Sequence, residues 1–329
     1  QMARMAIVQN TETTATHTDS LDFRSSITVA DLNRFITEKL QPTESFNREM
    51  QETVGQICNF LHEHMEPDQI VKGGSLGKGT AIKGKSDIDL VLVLKEVKDA
   101  AELKRSLPEI QRKIKEKLQL EGKGFQIDGG SISETKYSVQ FTVKGSDGKI
   151  DVDLLPTFYF DDVRSLYQKM KTDTNHKEFY SAALVKQQVE FVKVQPANVK
   201  SLIRLVKYWK KTMLPPSTNQ RIPTSYPMEL ITIHLCEQKN TFGRFDTLKA
   251  FRSVMKALDD YSSLQVIWTK NYSRYEISDD IRHQRPLVVD PANPMNNVCS
   301  KFEWAQVKDA AKEVLESPML RNVSSVTWN

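Results

Sequence analysis

The feature that most limits the possible folds is an apolar run that directly follows a pair of aspartates. Asp87-Ile88-Asp89 leads into Leu90–Leu94, whose alternating leucines and valines are typical of a buried strand. Strand side chains alternate between two faces, so Asp87 and Asp89 point the same way, about 7 Å apart. Neighbouring carboxylates repel each other unless a cation lies between them, and Mg²⁺ prefers carboxylate and phosphate oxygens. The pair therefore suggests metal-bound nucleoside triphosphate, and a solvated pair at a strand edge is the simpler alternative.

Two glycine-containing segments upstream of this strand are candidates for contacting phosphate. Eleven residues separate Gly74-Ser75 from Asp87, and glycine lets backbone N–H groups approach a phosphate closely. The stretch Gly79–Ser86 also matches the P-loop pattern G-x-x-x-x-G-K-[ST]. A P-loop must open a helix, however, whereas here the predicted strand follows. We therefore reject the P-loop and retain Gly74-Ser75.

A second strand carries two more carboxylates. Gly145–Gly148 predicts a hairpin turn, and the returning strand Lys149–Pro156 places Asp151 and Asp153 on one face. If this strand lies beside the first, one of the two aspartates can complete a cluster of three carboxylates. Such a cluster can hold two Mg²⁺ roughly 3.5–4 Å apart for an in-line displacement. The spacing alone does not choose between Asp151 and Asp153.

Basic residues are clustered although the net charge of the chain is only +4. The interval Phe191–Met228 has seven Lys or Arg residues and no Asp or Glu. Four of them fall on one stripe of a predicted helix: Lys200, Arg204, Lys207 and Lys211. A second window without acidic residues contains Lys72, Lys78, Lys83 and Lys85. A triphosphate or an RNA backbone is the natural counter-charge for both patches, and a solvated helix face is the alternative.

The composition is that of a globular protein of one large or two ordinary domains, with 329 residues and 39% hydrophobic content. No apolar run approaches the roughly 18 residues of a membrane helix. The three cysteines lie far apart and fit neither a disulfide framework nor a zinc site, which indicates a reducing, intracellular setting. Residues 1–25 are expected to form a loose leader without a secretory signal.

A series of motifs resembles the 2'-5'-oligoadenylate synthetase family, from about residue 21 to the C-terminus. In order, they are VKGGSLGKGT, GKSDIDLVLVL, VDLLPTF, KSLIRLVKYWKK, SYPMELITIH, VIWTKNY and RPLVVDPANP. The resemblance implies an α+β, bilobal fold of the polymerase-β-like nucleotidyltransferases. A mixed-sheet catalytic lobe with N-terminal helices would span residues 26–160, a helical lobe residues 161–329, and the nucleotide cleft would lie between them.

The resemblance also implies which residues form the site. The register of Asp153-Leu-Leu-Pro156 makes Asp87, Asp89 and Asp153 the metal ligands and catalytic residues for two Mg²⁺, with Mn²⁺ as an in vitro substitute and no zinc. Implied nucleotide contacts are Gly74, Ser75, Arg204, Lys207, Ser225 and Tyr226. Ser225 replaces the Gln of vertebrate enzymes, which puts strict adenine use in question.

The implied function is template-independent synthesis of 2'-5'-linked oligoadenylates from ATP, and of products from other NTPs if the base site is permissive. Double-stranded RNA would be the activator, in cytoplasmic innate antiviral defence, with contacts at Lys72, Lys78, Lys193 and Lys200. In the family's RNA footprint, Val189 stands where an arginine is expected, Ala197-Asn198 replaces a Thr-Lys pair and His62 replaces a lysine. Met319–Arg321 replaces a tripeptide that is linked to self-association in some members, so we expect a monomer. Since there is no long apolar run, we also expect no membrane contact. The alternatives are a cyclic GMP-AMP synthase-like receptor that makes a cyclic dinucleotide, and a catalytically inactive RNA-binding relative.

Overall fold

A mixed five-stranded sheet forms the N-terminal part of the computed structural model, which describes residues 20–240 and 243–329. The strands are β1 Gln69–Lys72, β2 Asp87–Leu94, β3 Ile127–Glu134, β4 Val139–Gly145 and β5 Gly148–Phe158. Their order is β1-β2-β5-β4-β3, in which β2 and β5 are parallel and the other neighbours are antiparallel. Gly145 pairs with Gly148 across the β4–β5 turn, which confirms the predicted hairpin.

The two faces of this sheet differ because apolar and acidic residues alternate along β5. Ile150, Val152 and Leu154 are buried, whereas Asp151 and Asp153 project from the opposite face. Helix α4 packs against β3, β4 and β5. One face therefore belongs to the hydrophobic core, and the other carries the carboxylates. The helices of this part are α1 Val29–Phe35, continued by a π-helical turn at Ile36–Leu40, α2 Glu44–Met65, α3 Gly74–Lys78 and α4 Ala100–Glu121.

The C-terminal part is mainly helical and is built around α8, whose Trp209 is completely buried. Its helices are α5 Val163–Thr172, α6 Tyr180–Ala183, α7 Val185–Lys193, α8 Ala197–Met213, α9 Ser225–Gln238, α10 Thr247–Asp259, α11 Asp279–Arg282 and α12 Ala305–Glu316. A small sheet joins β6 Gln265–Val266, β7 Leu287–Asp290 and β8 Asn293–Asn297. Short 3₁₀ segments lie at Gly122–Phe125, Thr174–Phe179, Tyr261–Ser263 and Arg274–Glu276. None of the helices in the described ranges is long and apolar enough to cross a membrane.

The N-terminal segment differs from the expected loose leader. Residues 1–19 lie outside the described residues, but Leu21 and Phe23 are buried. The Phe23 ring lies 5.8 Å from the ring of Phe251 and 5.9 Å from that of Tyr208. Helix α1 packs against α10 in the same region. Residues 20–25 and α1 therefore pack onto the helical part, because two apolar side chains in a polar segment bury between its helices.

Candidate active site

The carboxylates predicted from the sequence lie on two adjacent strands. Asp87 is in register with Asp151 and Asp89 with Asp153, so all four side chains share one face of the sheet. Asp89 and Asp153 are half-buried, whereas Asp151 is exposed. Burial raises the pKa of Asp89, and the negative charges of Asp153 and Asp87 raise it further. These three carboxylates therefore form one electrostatically coupled group.

The residues of this group fit a divalent cation. The Oδ1 atom of Asp153 is buried and accepts no hydrogen bond. A buried acceptor without a partner is costly, and a bound metal would satisfy it. The carboxylate of Asp87 lies 3.5 Å from Nζ of Lys85. Within the described part of the chain, no three acidic, histidine or cysteine side chains already surround a common point. Asp87, Asp89 and Asp153 are the residues of this group that would hold the cation.

The Gly74-Ser75 segment lies directly beside Asp89. Gly74 has a positive φ of 58°, and a Cβ atom there would overlap the Asp89 carboxylate. The N–H of Gly73 donates to the carbonyl oxygen of Asp89 at 2.7 Å, which fixes the start of α3 against β2. Ser75 is half-buried on the first turn of α3. The backbone here can approach a phosphate close to the carboxylates because position 74 has no side chain.

Two cations of the α8 stripe face the loop that follows α3 rather than solvent. Arg204 donates to the carbonyl oxygens of Ala81 at 2.8 Å and Gly79 at 2.7 Å. Lys207, which is only 8% exposed, donates to the carbonyl oxygen of Thr80 at 2.9 Å. Burial lowers the pKa of Arg204 and lowers that of Lys207 to about 8. The solvated-face alternative is therefore wrong for these two residues, while Lys211 is exposed.

Glu229 was not singled out by the sequence analysis, yet it anchors this interface. Its carboxylate, 2% exposed, accepts from Nζ of Lys78 at 2.9 Å and from the hydroxyl of Thr80 at 3.0 Å. Nζ of Lys207 lies 3.6 Å away. An acidic residue inside the apolar α9 segment Met228–Ile233 was the available sequence signal. Glu229 thus joins α9 to the end of α3.

The four residues predicted to contact RNA are placed differently from one another. Lys78 is directed inward to Glu229, and its ammonium lies 4.2 Å from the centroid of the Tyr226 ring. Its position therefore disfavours a contact with RNA on the outer surface. Lys193 is exposed and Lys200 is half-buried. Burial lowers the pKa of Lys200, and the charges of Arg204 and Lys193 lower it further. Lys72 is exposed on β1. Burial raises the pKa of the Cys58 thiol of α2, and the charge of Lys72 opposes this rise.

The predicted base contacts lie at the start of α9. Ser225 and Tyr226 are its first two residues, and both are half-buried. The hydroxyl of Tyr226 donates to Oδ1 of Asp290 at 3.0 Å. Asp290, at the end of β7, is fully buried and was not identified from the sequence. Its position directly after the apolar run Leu287–Val289 was the available signal.

A large groove opens beyond the carboxylates, with a volume of about 1100 Å³. Leu155, which follows Asp153 by two residues on the same face of β5, lines its inner end together with Asn296 of β8. Tyr137 and the largely exposed Tyr275 lie on its walls. The groove is large enough for a nucleotide-sized ligand.

Comparison with solved structures and sequence profiles defines the class of protein. The fold is similar to that of E. coli MS115-1 CdnC with ATP, with a TM-score of 0.62 and 20% identity over 88% of this chain and 90% of that one. It is also similar to Cid1 in complex with the UTP analog UMPNPP, with a TM-score of 0.57 and 13% identity over 91% and 95% of the two chains. A profile described as "Nucleotidyltransferase domain" matches residues 54–137. The chain is a nucleotidyltransferase with a bilobal, polymerase-β-like α+β fold.

The family follows from the C-terminal half. A profile described as "2'-5'-oligoadenylate synthetase 1, domain 2, C-terminus" matches residues 156–329, more than half of the chain, which therefore belongs to the 2'-5'-oligoadenylate synthetase family. The chain is 28% identical to 2'-5'-oligoadenylate synthase 1A of Rattus norvegicus, over 88% of this chain and 90% of that protein. It is 31% identical to 2'-5'-oligoadenylate synthase 2 of Mus musculus, covering 94% of this chain but about half of that protein, 46%.

Replacing Gly74 with alanine is expected to abolish most nucleotidyltransfer activity. The added Cβ must displace the Asp89 carboxylate, and a shift of about 1 Å at a reacting centre can cost on the order of 100-fold in rate. The measurement is pyrophosphate release with the four NTPs. Gly84→Ala is the matched control, because Gly84 also has a positive φ but open space around it. Equal losses in both variants would show that backbone strain alone is responsible.

The activity is expected to depend on the protonation of Lys207. Burial lowers the pKa of this ammonium to about 8, so in the free protein it is charged below pH 8 and neutral above it. If Lys207 binds the triphosphate, KM for the nucleotide should rise about tenfold between pH 7.5 and pH 9. In Lys207→Arg the step should disappear, because guanidinium stays charged. An identical pH profile in both proteins would contradict this role.

Proposed function

We propose that this protein joins nucleotides by attack of a ribose 2'-hydroxyl on the α-phosphate of ATP, releasing pyrophosphate and building 2'-5'-linked oligoadenylates without a template. The observation that carries the proposal is the pairing of Asp89 with Asp153 on one face of the sheet, beside Gly74-Ser75. The membership of the chain in the 2'-5'-oligoadenylate synthetase family supports the choice of linkage and base.

Asp87, Asp89 and Asp153 are the residues that would hold Mg²⁺, two ions in all, or Mn²⁺ in vitro. When bound, the cations would neutralise charge that develops on the triphosphate. With Oδ1 on the metal, Asp153 would retain a second carboxylate oxygen that can accept the proton of the attacking 2'-hydroxyl. Its position opposite Asp89 keeps that oxygen next to the rest of the acidic group.

The triphosphate would lie between α3 and α8. Arg204 and Lys207 now donate to backbone carbonyls, and Arg has further N–H groups that remain available to phosphate oxygens. Ser75 and the backbone of Gly74 approach from the other side. The base would lie near Ser225 and Tyr226 at the start of α9. The short side chain of Ser225 would discriminate little between bases, so other NTPs are expected to compete with ATP.

The large groove is suited to the nucleotide that supplies the attacking hydroxyl. Its inner end at Leu155 is about 7 Å along the strand from Asp153. Tyr137 and Tyr275 offer ring faces on which a base can stack, whatever its identity. Three lysines line the groove, namely Lys171, Lys177 and Lys301, together with three acidic residues, Glu178, Glu276 and Asp280.

Activation by double-stranded RNA is part of the proposal, in cytoplasmic antiviral defence by a monomeric enzyme. Lys193 and Lys200 provide neighbouring cations, with Lys72 on β1 as a further exposed one. An A-form duplex is recognised by shape and by phosphate and 2'-hydroxyl contacts, so the sequence of the RNA should matter little. RNA can favour a state with converged carboxylates only by binding that state more tightly.

The test is chromatography of the product after incubation with all four NTPs and Mg²⁺, with and without duplex RNA. A ladder of linear adenylates whose terminal phosphates are removed by phosphatase supports the proposal. A single phosphatase-resistant species would instead show a cyclic dinucleotide, and the absence of any product would show an inactive RNA-binding relative. Equal activity with and without RNA would contradict the activation step alone.

The two aspartates of β5 should differ sharply when substituted. Asp153→Asn is expected to lower the rate at least about 100-fold, because it removes charge from the metal-binding group. Asp151→Asn is the matched control, since Asp151 is exposed and two residues away on the same face, and its rate should stay within about threefold of wild type. Melting temperatures of the two variants should be similar. The reverse order of effects would assign the metal to Asp151.

A further inference from the structure

Asp290 is a fully buried carboxylate that receives hydrogen bonds on both oxygens. Oδ1 accepts from the hydroxyl of Tyr226 at 3.0 Å and from the N–H of Ala292 at 2.8 Å. Oδ2 accepts from Nε2 of Gln188 at 2.7 Å and, more weakly, from Nδ2 of Asn296 at 3.5 Å. A carboxylate completely removed from water is costly unless it is hydrogen-bonded in this way.

Asp290 therefore connects α9, which carries the proposed base contacts, to α7. Tyr226 lies in the first turn of α9, and Gln188 lies near the middle of α7. The hydroxyl of Tyr272 donates to the main-chain carbonyl oxygen of Asp290 at 2.8 Å, which holds the end of β7 in place. Loss of either Tyr226 or Gln188 would leave a buried acceptor short of a donor.

Helix α7 also rests against the phosphate-binding segment. A Cβ atom at Gly73 would lie 3.4 Å from a methyl group of Val185, and one at Gly77 would lie 3.5 Å from a methyl group of Val189. These are ordinary van der Waals distances, so α7 packs directly on α3 and on the residue before it. From the end of α3, Lys78 places its ammonium over the Tyr226 ring. The contacts form a closed circuit through α3, α7, Asp290 and Tyr226.

We propose that Asp290 is a positioning residue that fixes the Tyr226 ring relative to α7, so that the base end and the phosphate end of the nucleotide site move with α7 as one unit. The inference rests on the proposed function for the identity of the nucleotide, and it adds a residue and a regulatory route that the proposed chemistry does not require. Displacement of α7 would weaken nucleotide binding at both ends together.

The test is a double-mutant cycle on Gln188→Ala and Tyr226→Phe, read out as the Kd of a nonhydrolysable ATP analogue with Mg²⁺ and as KM and kcat. Each single variant should raise Kd and KM about tenfold, a coupling typical of residues in one hydrogen-bond network, and should leave kcat within about twofold. The double variant should bind the analogue no more weakly than the single variant with the higher Kd. Melting temperatures establish that each variant is folded.

The matched control comes from a neighbouring residue of the same type. Gln187→Ala changes the adjacent residue of α7, whereas the α7 donor to Asp290 is Gln188. This variant should bind the analogue like wild type. Asp290→Asn provides a third variant with the same expected effect on Kd.

The outcomes separate this inference from the proposed function. If wild type binds the analogue but Gln188→Ala binds it as Gln187→Ala does, the positioning role is overturned and the proposed function stands. If the effects of the two substitutions on Kd multiply in the double variant, the positioning role is also overturned. Multiplied effects would mean that Gln188 and Tyr226 act independently and not through one carboxylate. Failure of wild type to bind any adenine nucleotide overturns both.

Discussion

The parallel pairing of β2 with β5 is the constraint on which the site depends. It places Asp89 opposite Asp153 although 64 residues separate them, and it opposes the mutual repulsion of these carboxylates. Their pairing is enforced from the other face of the sheet, where Ile88, Val152 and Leu154 are buried. Hydrophobic packing thus holds like charges close together. Burial raises the pKa of Asp89, and the charges of Asp153 and Asp87 raise it further. A bound cation would offset the repulsion between these carboxylates.

The second organising interaction is the buried charge at the interface of the two lobes. Glu229 engages Lys78 and lies close to Lys207, and Arg204 binds carbonyl groups of the same loop. Buried ion pairs add little net stability because desolvation is costly, but they strongly penalise any arrangement that leaves one charge unpaired. These buried interactions therefore specify one placement of α3 against α8 and α9. Asp290 likewise fixes the placement of the start of α9, but through hydrogen bonds from neutral donors.

Much of the fold could be predicted because local patterns and tertiary packing agree. The strand after Asp87 and the Gly145–Gly148 hairpin have strong periodicity and turn chemistry, and both are confirmed. The limits of the leader were not predictable, since the burial of Phe23 depends on a groove formed by distant helices. The orientation of Lys78 was also not predictable, since its partner is 151 residues further along the chain.

By itself, the sequence determined which chemical groups are present and how they are spaced along each strand and helix, because those depend only on local geometry. It thereby determined the paired carboxylates, the glycine beside them and the basic stripe of α8. Only the tertiary structure decided which groups meet. The parallel register placed Asp153 opposite Asp89 and Asp151 opposite Asp87, and the lobe interface turned Lys78 and Lys207 inward. Such choices depend on long-range packing and desolvation, which no local pattern encodes.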